Sequence, residues 1–254
     1  MRDPSHPLEL LRRAAALRET AGVRRGLTPR GPDHDGLIDL ASNDYLGLCG
    51  DERITAGAVR AARQWGTGST GSRLVTGTTA LHAQLEDRLA EFTGARAALV
   101  FSSGYLANLT VLTALAAALG APADVLIVSD ARNHASLIDA CRLARARVLV
   151  TPHRDPGAVR RVLASRDESA AIVVSDAVFS VDGALAPVAE LHAAAREYHA
   201  LLVLDEAHAL GVVGPGGRGA AAAAGIAAEP DVIRTVTRSK SLAGQGGAVR
   251  GAPE

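Results

Sequence analysis

The chain lacks the features that mark several common classes of protein. Its 254 residues include two cysteines, Cys49 and Cys141. Two scattered cysteines cannot build a disulfide framework or a zinc site, so we expect a reduced, cytoplasmic compartment and no metal. The longest apolar stretch, 106–119, is interrupted by Asn108 and is too short to span a bilayer, so it predicts a buried helix. The first seven residues have no apolar core, which argues against a secretory signal.

The chain also lacks an excess of charge of one sign. Lys and Arg together number 27, as do Asp and Glu, so the formal net charge is zero. A balanced surface does not attract polyanions, so neither a nucleic acid nor an anionic membrane is expected as a partner. The arginines of the N-terminal region are expected on the solvated side of a helix: Arg12, Arg13, Arg18, Arg24 and Arg25.

The pattern of apolar residues predicts an α/β fold. Residues 1–36 are predicted to form an N-terminal helix (7–21) and a linker, and residues 37–254 to form one large domain. Short, continuous apolar strands alternate with helices, which indicates a mostly parallel sheet covered on both faces. The predicted strands are 37–40, 97–101, 125–128, 148–150, 171–174, 201–204 and 231–236. The predicted helices are 79–92, 104–119, 134–145, 156–165 and 187–198, with a surface helix in the alanine-rich run 220–228.

Sheets of this kind bind ligands beyond the carboxyl ends of their strands. Several polar or small residues fall at those ends: 102–104, Asp130, Asp176, Asp205 and Thr237. Lys240 follows the last predicted strand among small residues, where its amine can form a Schiff base. Asp205, at the end of the preceding strand, can hold a pyridine nitrogen in its protonated form. These are the two chemical demands of pyridoxal 5′-phosphate (PLP).

Each of these motifs also has a simpler interpretation. Residues 205–208 (DEAH) occur in helicase-type ATPases, but the chain has no phosphate-binding loop of the G-x-x-x-x-G-K-[ST] type, which argues against nucleotide hydrolysis. Residues 66–73 are either an anion-binding loop or a flexible linker. Residues 103–105 open a helix directly after a strand, which suits a phosphate or an ordinary turn. A lone histidine such as His134 is often structural.

Taken together, the ordered motifs resemble those of a known family. They are ASNDYLGL at 41–48, GTGSTGSR at 66–73, HASL at 134–137, VFSVDG at 178–183, DEAHALG at 205–211 and the segment around Lys240. The chain resembles the α-oxoamine synthases, which are fold-type I PLP-dependent enzymes, from about residue 36 to 250. The resemblance implies the large, PLP-binding domain of that fold, with its sheet flanked by helices.

The resemblance also implies a role for individual residues. Lys240 is expected to carry the cofactor as an imine and to move protons at the substrate α-carbon, and Asp205 to pair with the ring nitrogen. The other expected contacts are to the ring hydroxyl (His208 and Ser180), the ring face (His134), the phosphate (Thr237, Gly104 and Tyr105) and the substrate (Asn43).

The implied reaction joins L-alanine to pimeloyl-CoA or its carrier-protein thioester, with loss of CO₂ and of the thiol, as in biotin synthesis. Glycine C-acetyltransferase, 5-aminolevulinate synthase and serine palmitoyltransferase share most of the motifs and remain alternatives. The resemblance further implies a homodimer, whose contact surface is expected near residues 66–73.

The sequence departs from the family pattern in four respects. Family members continue beyond the lysine into a small C-terminal domain, so a shortened form with impaired activity is expected, or a remnant that binds only PLP or a partner chain. Arg238 stands where an apolar residue is expected, and the order of residues 243–246 is unusual. Arg234 adds a charge to a strand predicted to be buried, where an unpaired cation is costly.

Overall fold

The computed structural model describes residues 6–29, 31, 36 and 38–253. The chain divides into two compact units, Met1–Ser42 and Asn43–Glu254. The boundary predicted after residue 36 separated a linker from a cofactor-binding domain, and it stays a prediction.

The first unit contains one helix, α1 (Pro7–Thr20), close to the predicted 7–21. The ring nitrogen Nδ1 of His6 accepts the N–H of Leu8 at 3.3 Å, and Pro7 occupies the first helical position, where its missing N–H costs nothing. None of the helical residues is buried. Arg12, Arg13 and Arg18 are exposed on this helix, as predicted. Arg24 and Arg25 are exposed as well, but they lie beyond the end of the helix, so their predicted helical position is wrong.

The strand predicted over residues 37–40 is wrong for the part that the structure describes. Residues 38–40 are irregular, Ile38 and Leu40 are 87% and 92% exposed, and Leu37 lies outside the described residues. A strand is stable only when its backbone groups are paired, and residues 38–40 pair with no strand in the described chain. The apolar pattern is present at these positions, but no strand in the described part of the chain pairs with them.

In the described part of the second unit, seven strands form one mostly parallel sheet, as predicted. The strands are β1 (Ala97–Phe101), β2 (Val125–Asp130), β3 (Arg147–Thr151), β4 (Ala170–Asp176), β5 (Leu201–Asp205), β6 (Val232–Thr237) and β7 (Gly247–Gly251). Their order is β1-β7-β6-β5-β4-β2-β3. Strands β2 to β6 run parallel, and β7 is antiparallel to both of its neighbours.

Helices cover both faces of the sheet. Helix α2 (Glu52–Trp65) has no buried residue, and the helices that cover the sheet are α3 (Ala80–Thr93), α4 (Gly104–Leu119), α5 (Ala135–Leu143), α6 (Pro156–Ala164), α7 (Val188–Glu197) and the short α8 (Ala220–Ala223). In the described residues, none of these helices has the length and apolar composition that a bilayer crossing requires.

Successive residues of each central strand belong to opposite hydrophobic cores. Leu126 and Val128 of β2 pack with α6 and α7, whereas Ile127 packs with α4 and α5. This alternation follows from the two-residue period of a strand, because successive side chains point to opposite faces. Both sets are apolar, which is why the strands appear as unbroken apolar runs in the sequence.

Three elements differ from expectation. Helix α2 was not predicted, and no residue in it is buried. Strand β7 was not predicted either, because it begins and ends with glycine and contains the charged Arg250. The alanine-rich run was predicted as a surface helix, but α8 spans only four residues and Ala220 and Ala221 are buried. Alanine is small enough to lie against the core beside the turn after β5, and the run ends at Gly225, whose φ of +72° lies in the left-handed region that favours glycine.

The charge that Arg234 brings to β6 is compensated. Arg234 is fully buried, but its guanidinium donates to the carbonyls of Thr93 and Ala227 and lies 3.8 Å from Glu206. Glu206 in turn pairs with Arg250, the residue of β7 opposite Arg234. Burial lowers the pKa of Arg234 to about 10, so it stays charged near neutral pH. Arg234 is therefore not an unpaired cation, and its partners offset part of the cost of burying its charge.

Candidate active site

A cavity of about 290 Å³ opens at the carboxyl ends of β4, β5 and β6. Seven of the predicted site residues line it: Gly104, Tyr105, His134, Asp205, His208, Thr237 and Lys240. They come from the starts of α4 and α5 and from the segments that follow β5 and β6. The parallel sheet brings them together because its strands end at the same edge.

Lys240 lies half-buried in the turn after β6. Its amine Nζ is 2.8 Å from Nε2 of His208. Burial lowers the pKa of Lys240 below its usual value, and the carboxylates of Asp205 and Asp176 act in the opposite direction. The partly desolvated amine loses its proton more easily than a surface lysine does, which favours nucleophilic chemistry.

His208 links this lysine to a residue near the surface. Its Nδ1 lies 2.6 Å from the hydroxyl of Tyr45. Burial, together with the nearby charges of Lys240 and His134, lowers the pKa of His208 to about 4. The ring is therefore neutral at neutral pH.

Asp205 is held in place by two donors. Its Oδ2 accepts from the Asn108 side chain at 2.7 Å, and its Oδ1 accepts from the N–H of Ala207 at 2.9 Å. Asn108 is itself fixed, because it donates to Ser136 and accepts from Thr235 at 2.8 and 2.6 Å. The carboxylate is 7% exposed and fully oriented toward its partners.

Two residues of this site were missed from the sequence. Asn108 was noticed only as an interruption of an apolar helix; a polar residue in the middle of such a helix was the available signal. Asp176 was noted at a strand end without a role. It lies beside Asp205 in the sheet register, and its Oδ2 accepts the N–H of His134 at 3.0 Å. Burial, reinforced by Asp205, raises the pKa of Asp176 to about 8.

His134 has a structural function whatever else it does. It is the N-cap of α5: its Nδ1 accepts the N–H of Ser136 at 3.2 Å and lies 2.7 Å from the Ser136 hydroxyl. Its side chain remains exposed to the cavity. The structural and the functional interpretations of this histidine are therefore compatible.

The start of α4 and the end of β6 form an anion-sized recess. A Cβ added to Gly104 would lie 3.0 Å from Cβ of Thr237, so only glycine lets these two backbones approach so closely. The hydroxyls of Thr237 and Ser239 are 2.7 Å apart, and the first N–H groups of α4 carry the positive end of the helix dipole. These donors suit a phosphate group.

Two predicted residues do not line the cavity. Ser180 is exposed in the turn that follows β4. Asn43 is exposed as well, and its Oδ1 accepts from the Tyr45 hydroxyl at 3.0 Å. Their predicted contacts with the ring hydroxyl and the substrate stay predictions.

Residues 66–73 form an irregular segment after α2. Hydrogen bonds hold its last residue, Arg73, against α3 and β1. Arg73 pairs with Glu86 at 2.9 Å and donates to the carbonyl of Val100 at 3.2 Å. Arg238, the residue that replaces an expected apolar side chain, is half-buried near Arg73 and lines a second, more apolar cavity with it. Burial lowers the pKa of Arg238.

One group of potential metal ligands lies elsewhere in the described chain. His192, Glu229 and Asp231 place one ligand atom each within 4.8 Å of one another. His192 is 3.1 Å from Asp231, and Glu229 pairs with Arg196 at 2.9 Å. These contacts link α7 to the start of β6.

The fold and the arrangement of the cavity define a class of protein. The chain matches the family described as aminotransferase class I and II over residues 35–254, and it belongs to that family. Its sheet, flanked by helices, is that of the fold-type I PLP-dependent transferases.

Particular relatives narrow this class. An 8-amino-7-oxononanoate synthase of Mycobacterium sp. (strain JLS) is 57% identical over 96% of this chain, which spans 63% of that protein's length. A solved 8-amino-7-oxononanoate synthase from Francisella tularensis is 26% identical, with a TM-score of 0.71 over 86% of this chain and 59% of that one. A variant serine palmitoyltransferase from S. paucimobilis, solved with PLP and myriocin bound, is 32% identical, with a TM-score of 0.77 over 84% of this chain and 52% of that one.

Proposed function

We propose that the cavity binds PLP and that this chain provides the cofactor-binding part of an 8-amino-7-oxononanoate synthase. The observation that carries the proposal is that Lys240 and Asp205 line the same cavity. The amine supplies a nucleophile for the cofactor aldehyde, and the carboxylate supplies the negative charge that a pyridine nitrogen needs to stay protonated. A relative that is 57% identical to this chain is named 8-amino-7-oxononanoate synthase.

The residues of the cavity fit the parts of this cofactor. The recess between Gly104 and Thr237 receives the phosphate, with the backbone N–H of Tyr105 as a further donor. Asp205 takes the ring nitrogen, His134 the ring face, and His208 the ring hydroxyl. Ser180, in an exposed turn outside the cavity, is assigned to the ring hydroxyl by resemblance alone, and Asn43 is assigned to the substrate on the same basis.

When bound, PLP withdraws electrons from the α-carbon of an amino acid. Lys240 holds the cofactor and then moves a proton at that carbon. Asn108 keeps Asp205 aimed at the ring, so that the carboxylate needs no reorientation during the reaction. His134 restricts the tilt of the substrate, which aligns the breaking bond.

The proposed reaction condenses L-alanine with pimeloyl-CoA or a pimeloyl carrier-protein thioester and releases CO₂ and the thiol. The alternatives are another α-oxoamine synthase and a chain that binds PLP or a partner without turnover. Product analysis with alanine, glycine and serine, each offered with pimeloyl-CoA, acetyl-CoA and succinyl-CoA, separates them. Turnover of the alanine–pimeloyl pair alone supports the proposal. Turnover of another pair indicates another α-oxoamine synthase, and no turnover of any pair indicates a chain that binds without catalysis.

We further propose that the protein is a cytoplasmic homodimer. Two cysteines that are both free suit a reducing compartment. Leu74 and Val75, next to residues 66–73, are 97% and 80% exposed, and such apolar surface favours contact with a second copy. The balanced net charge supports small-molecule partners over nucleic acid.

One feature of the sequence makes the central test unusually direct. Lys240 is the only lysine in the chain. After incubation with PLP, borohydride reduction and peptide mapping should therefore find the cofactor on Lys240. Lys240→Arg keeps the positive charge but removes the amine that forms the imine. In this variant, therefore, only the N-terminal amine should carry the cofactor label. Equal labelling of the wild type and the Lys240→Arg variant would exclude the proposed cofactor site.

A further inference from the structure

Three hydrogen bonds connect the surface of the second unit with Lys240. The hydroxyl of Tyr45 lies 3.0 Å from Oδ1 of Asn43 and 2.6 Å from Nδ1 of His208. On the other side of the same ring, Nε2 lies 2.8 Å from Nζ of Lys240. Tyr45 is 44% exposed, whereas Lys240 is half-buried in the cavity.

The direction of each hydrogen bond follows from the available donors. The amide oxygen of Asn43 can only accept, so Tyr45 uses its single hydroxyl proton there. The Tyr45 oxygen must then accept from His208, which places the ring proton on Nδ1. A neutral imidazole has one such proton, so Nε2 carries a lone pair and accepts from Lys240.

We propose that Tyr45 is a positioning residue for Lys240: held by Asn43, it keeps the His208 proton on Nδ1, so that Nε2 accepts a hydrogen bond from the lysine amine. A neutral amine that donates to Nε2 keeps its own lone pair free for attack on an aldehyde carbon. In the opposite tautomer, Nε2–H would donate to that lone pair and block it.

The charged groups that surround these three hydrogen bonds do not depend on Tyr45. Lys240 faces the carboxylates of Asp205 and Asp176, and His208 faces Lys240 and His134. All of these remain when Tyr45 is changed to phenylalanine, which keeps the ring and removes only the hydroxyl. A change in the behaviour of Lys240 would then report on the His208 tautomer.

The first measurement is independent of cofactor and activity. ¹⁵N NMR of the histidine ring nitrogens, with His208 assigned through His208→Gln, should show a proton on Nδ1 in the wild type. Tyr45→Phe should shift His208 toward the Nε2–H form. Asn43→Asp keeps an acceptor for Tyr45 and should preserve the wild-type tautomer. Tyr198→Phe, which removes a hydroxyl outside the cavity, is the matched control.

The second measurement rests on the proposed function. It determines the rate at which PLP is captured covalently as a function of pH. Lys240 is the only lysine, so any PLP that Lys240→Arg captures is attached to the N-terminal amine. That amount is subtracted from the total captured by each protein. In Tyr45→Phe the plateau rate at high pH should fall roughly three- to tenfold, the effect of one neutral hydrogen bond. The midpoint should move to lower pH, because an Nε2–H donor beside the amine disfavours the ammonium form.

The outcomes separate the two proposals. If wild type captures no PLP, the proposed function fails, while the NMR comparison still decides the tautomer. If Tyr45→Phe keeps the wild-type tautomer, or changes it without altering the plateau or midpoint of capture, Tyr45 does not position Lys240. A midpoint that moves to higher pH would also overturn the inference, because it indicates only greater exposure of the lysine.

Discussion

At the scale of single residues, two carboxyl groups at neighbouring strand ends have different surroundings. Both carboxylate oxygens of Asp205 accept a hydrogen bond, one from the Asn108 side chain and one from the N–H of Ala207. Asp176, its neighbour in the sheet register, is buried beside it. Two adjacent negative charges repel each other, so one of the pair tends to hold a proton. The structure assigns that proton to Asp176, whose pKa rises to about 8.

This difference predicts how stability depends on pH. The folded pKa of Asp176 is raised from its usual value of 3.8. Between about pH 4 and pH 8 the unfolded chain has lost this proton while the folded chain keeps it, so the contribution of Asp176 to the free energy of unfolding falls as pH rises. In Asp176→Asn this loss is absent. Urea unfolding should therefore show the variant gaining stability relative to wild type between about pH 5 and about pH 9.

A matched control for Asp176→Asn is Asp167→Asn, at an exposed position. Its difference from wild type should not change over the same pH range. If the Asp176→Asn difference is equally constant, Asp176 is ionised in the folded protein and its assigned proton is wrong.

At the scale of elements, a buried ionic cluster joins the turn after β5 to the antiparallel strand β7. Glu206 accepts the N–H of Ala221 at 2.9 Å and pairs with Arg250, and all three are buried. Glu206 directly follows Asp205, so the cluster also fixes the backbone that carries the proposed ring-binding carboxylate. Its contribution depends on every member being present, because a buried charge without its partner is costly.

Arg250→Met tests this cluster. The apolar side chain fills a similar volume but removes the nearer cation from Glu206, which keeps the N–H of Ala221 and the more distant guanidinium of Arg234 at 3.8 Å. We expect the free energy of unfolding to fall by roughly 3 kcal/mol or more, measured by urea denaturation. Arg88→Met breaks an exposed pair with Glu91 and should have no measurable effect. Equal effects of the two substitutions would show that the cluster does not stabilise the fold.

The success of the sequence-based predictions also varies by element. The strands that contribute to both hydrophobic cores were found because all of their positions are apolar. Strand β7 was missed because Arg250 is acceptable in a buried strand only once Glu206, 44 positions earlier, lies against it. The same reason explains Asn108, whose partners Asp205 and Thr235 are brought to it by the sheet. Local pattern predicts elements, whereas compensation between distant polar residues becomes visible only in the fold.

At the scale of the whole molecule, the sheet order explains why the site residues are so far apart in sequence. Asp205 is the last residue of β5, and Lys240 and His134 come from the segments after β6 and β2; the parallel strands end at one edge. The second unit also exposes apolar side chains beside the irregular segment 66–73. Arg73 anchors the end of that segment to α3 and β1, so Leu74 and Val75 project from a fixed base. A fixed apolar projection is suited to a protein contact.

Leu74→Asp tests the proposed homodimer at this surface. Leu74 is 97% exposed, so the change should leave folding intact, but a charge placed in a contact between two copies loses its solvation. Sedimentation of the wild type should show a dimer, and the variant should dissociate at roughly tenfold or higher protein concentration. Val181→Asp makes the same change at another position that is 97% exposed and should sediment as wild type does. A wild type that stays monomeric, or two variants that dissociate alike, would place no dimer contact at Leu74, and the homodimer would need a different surface.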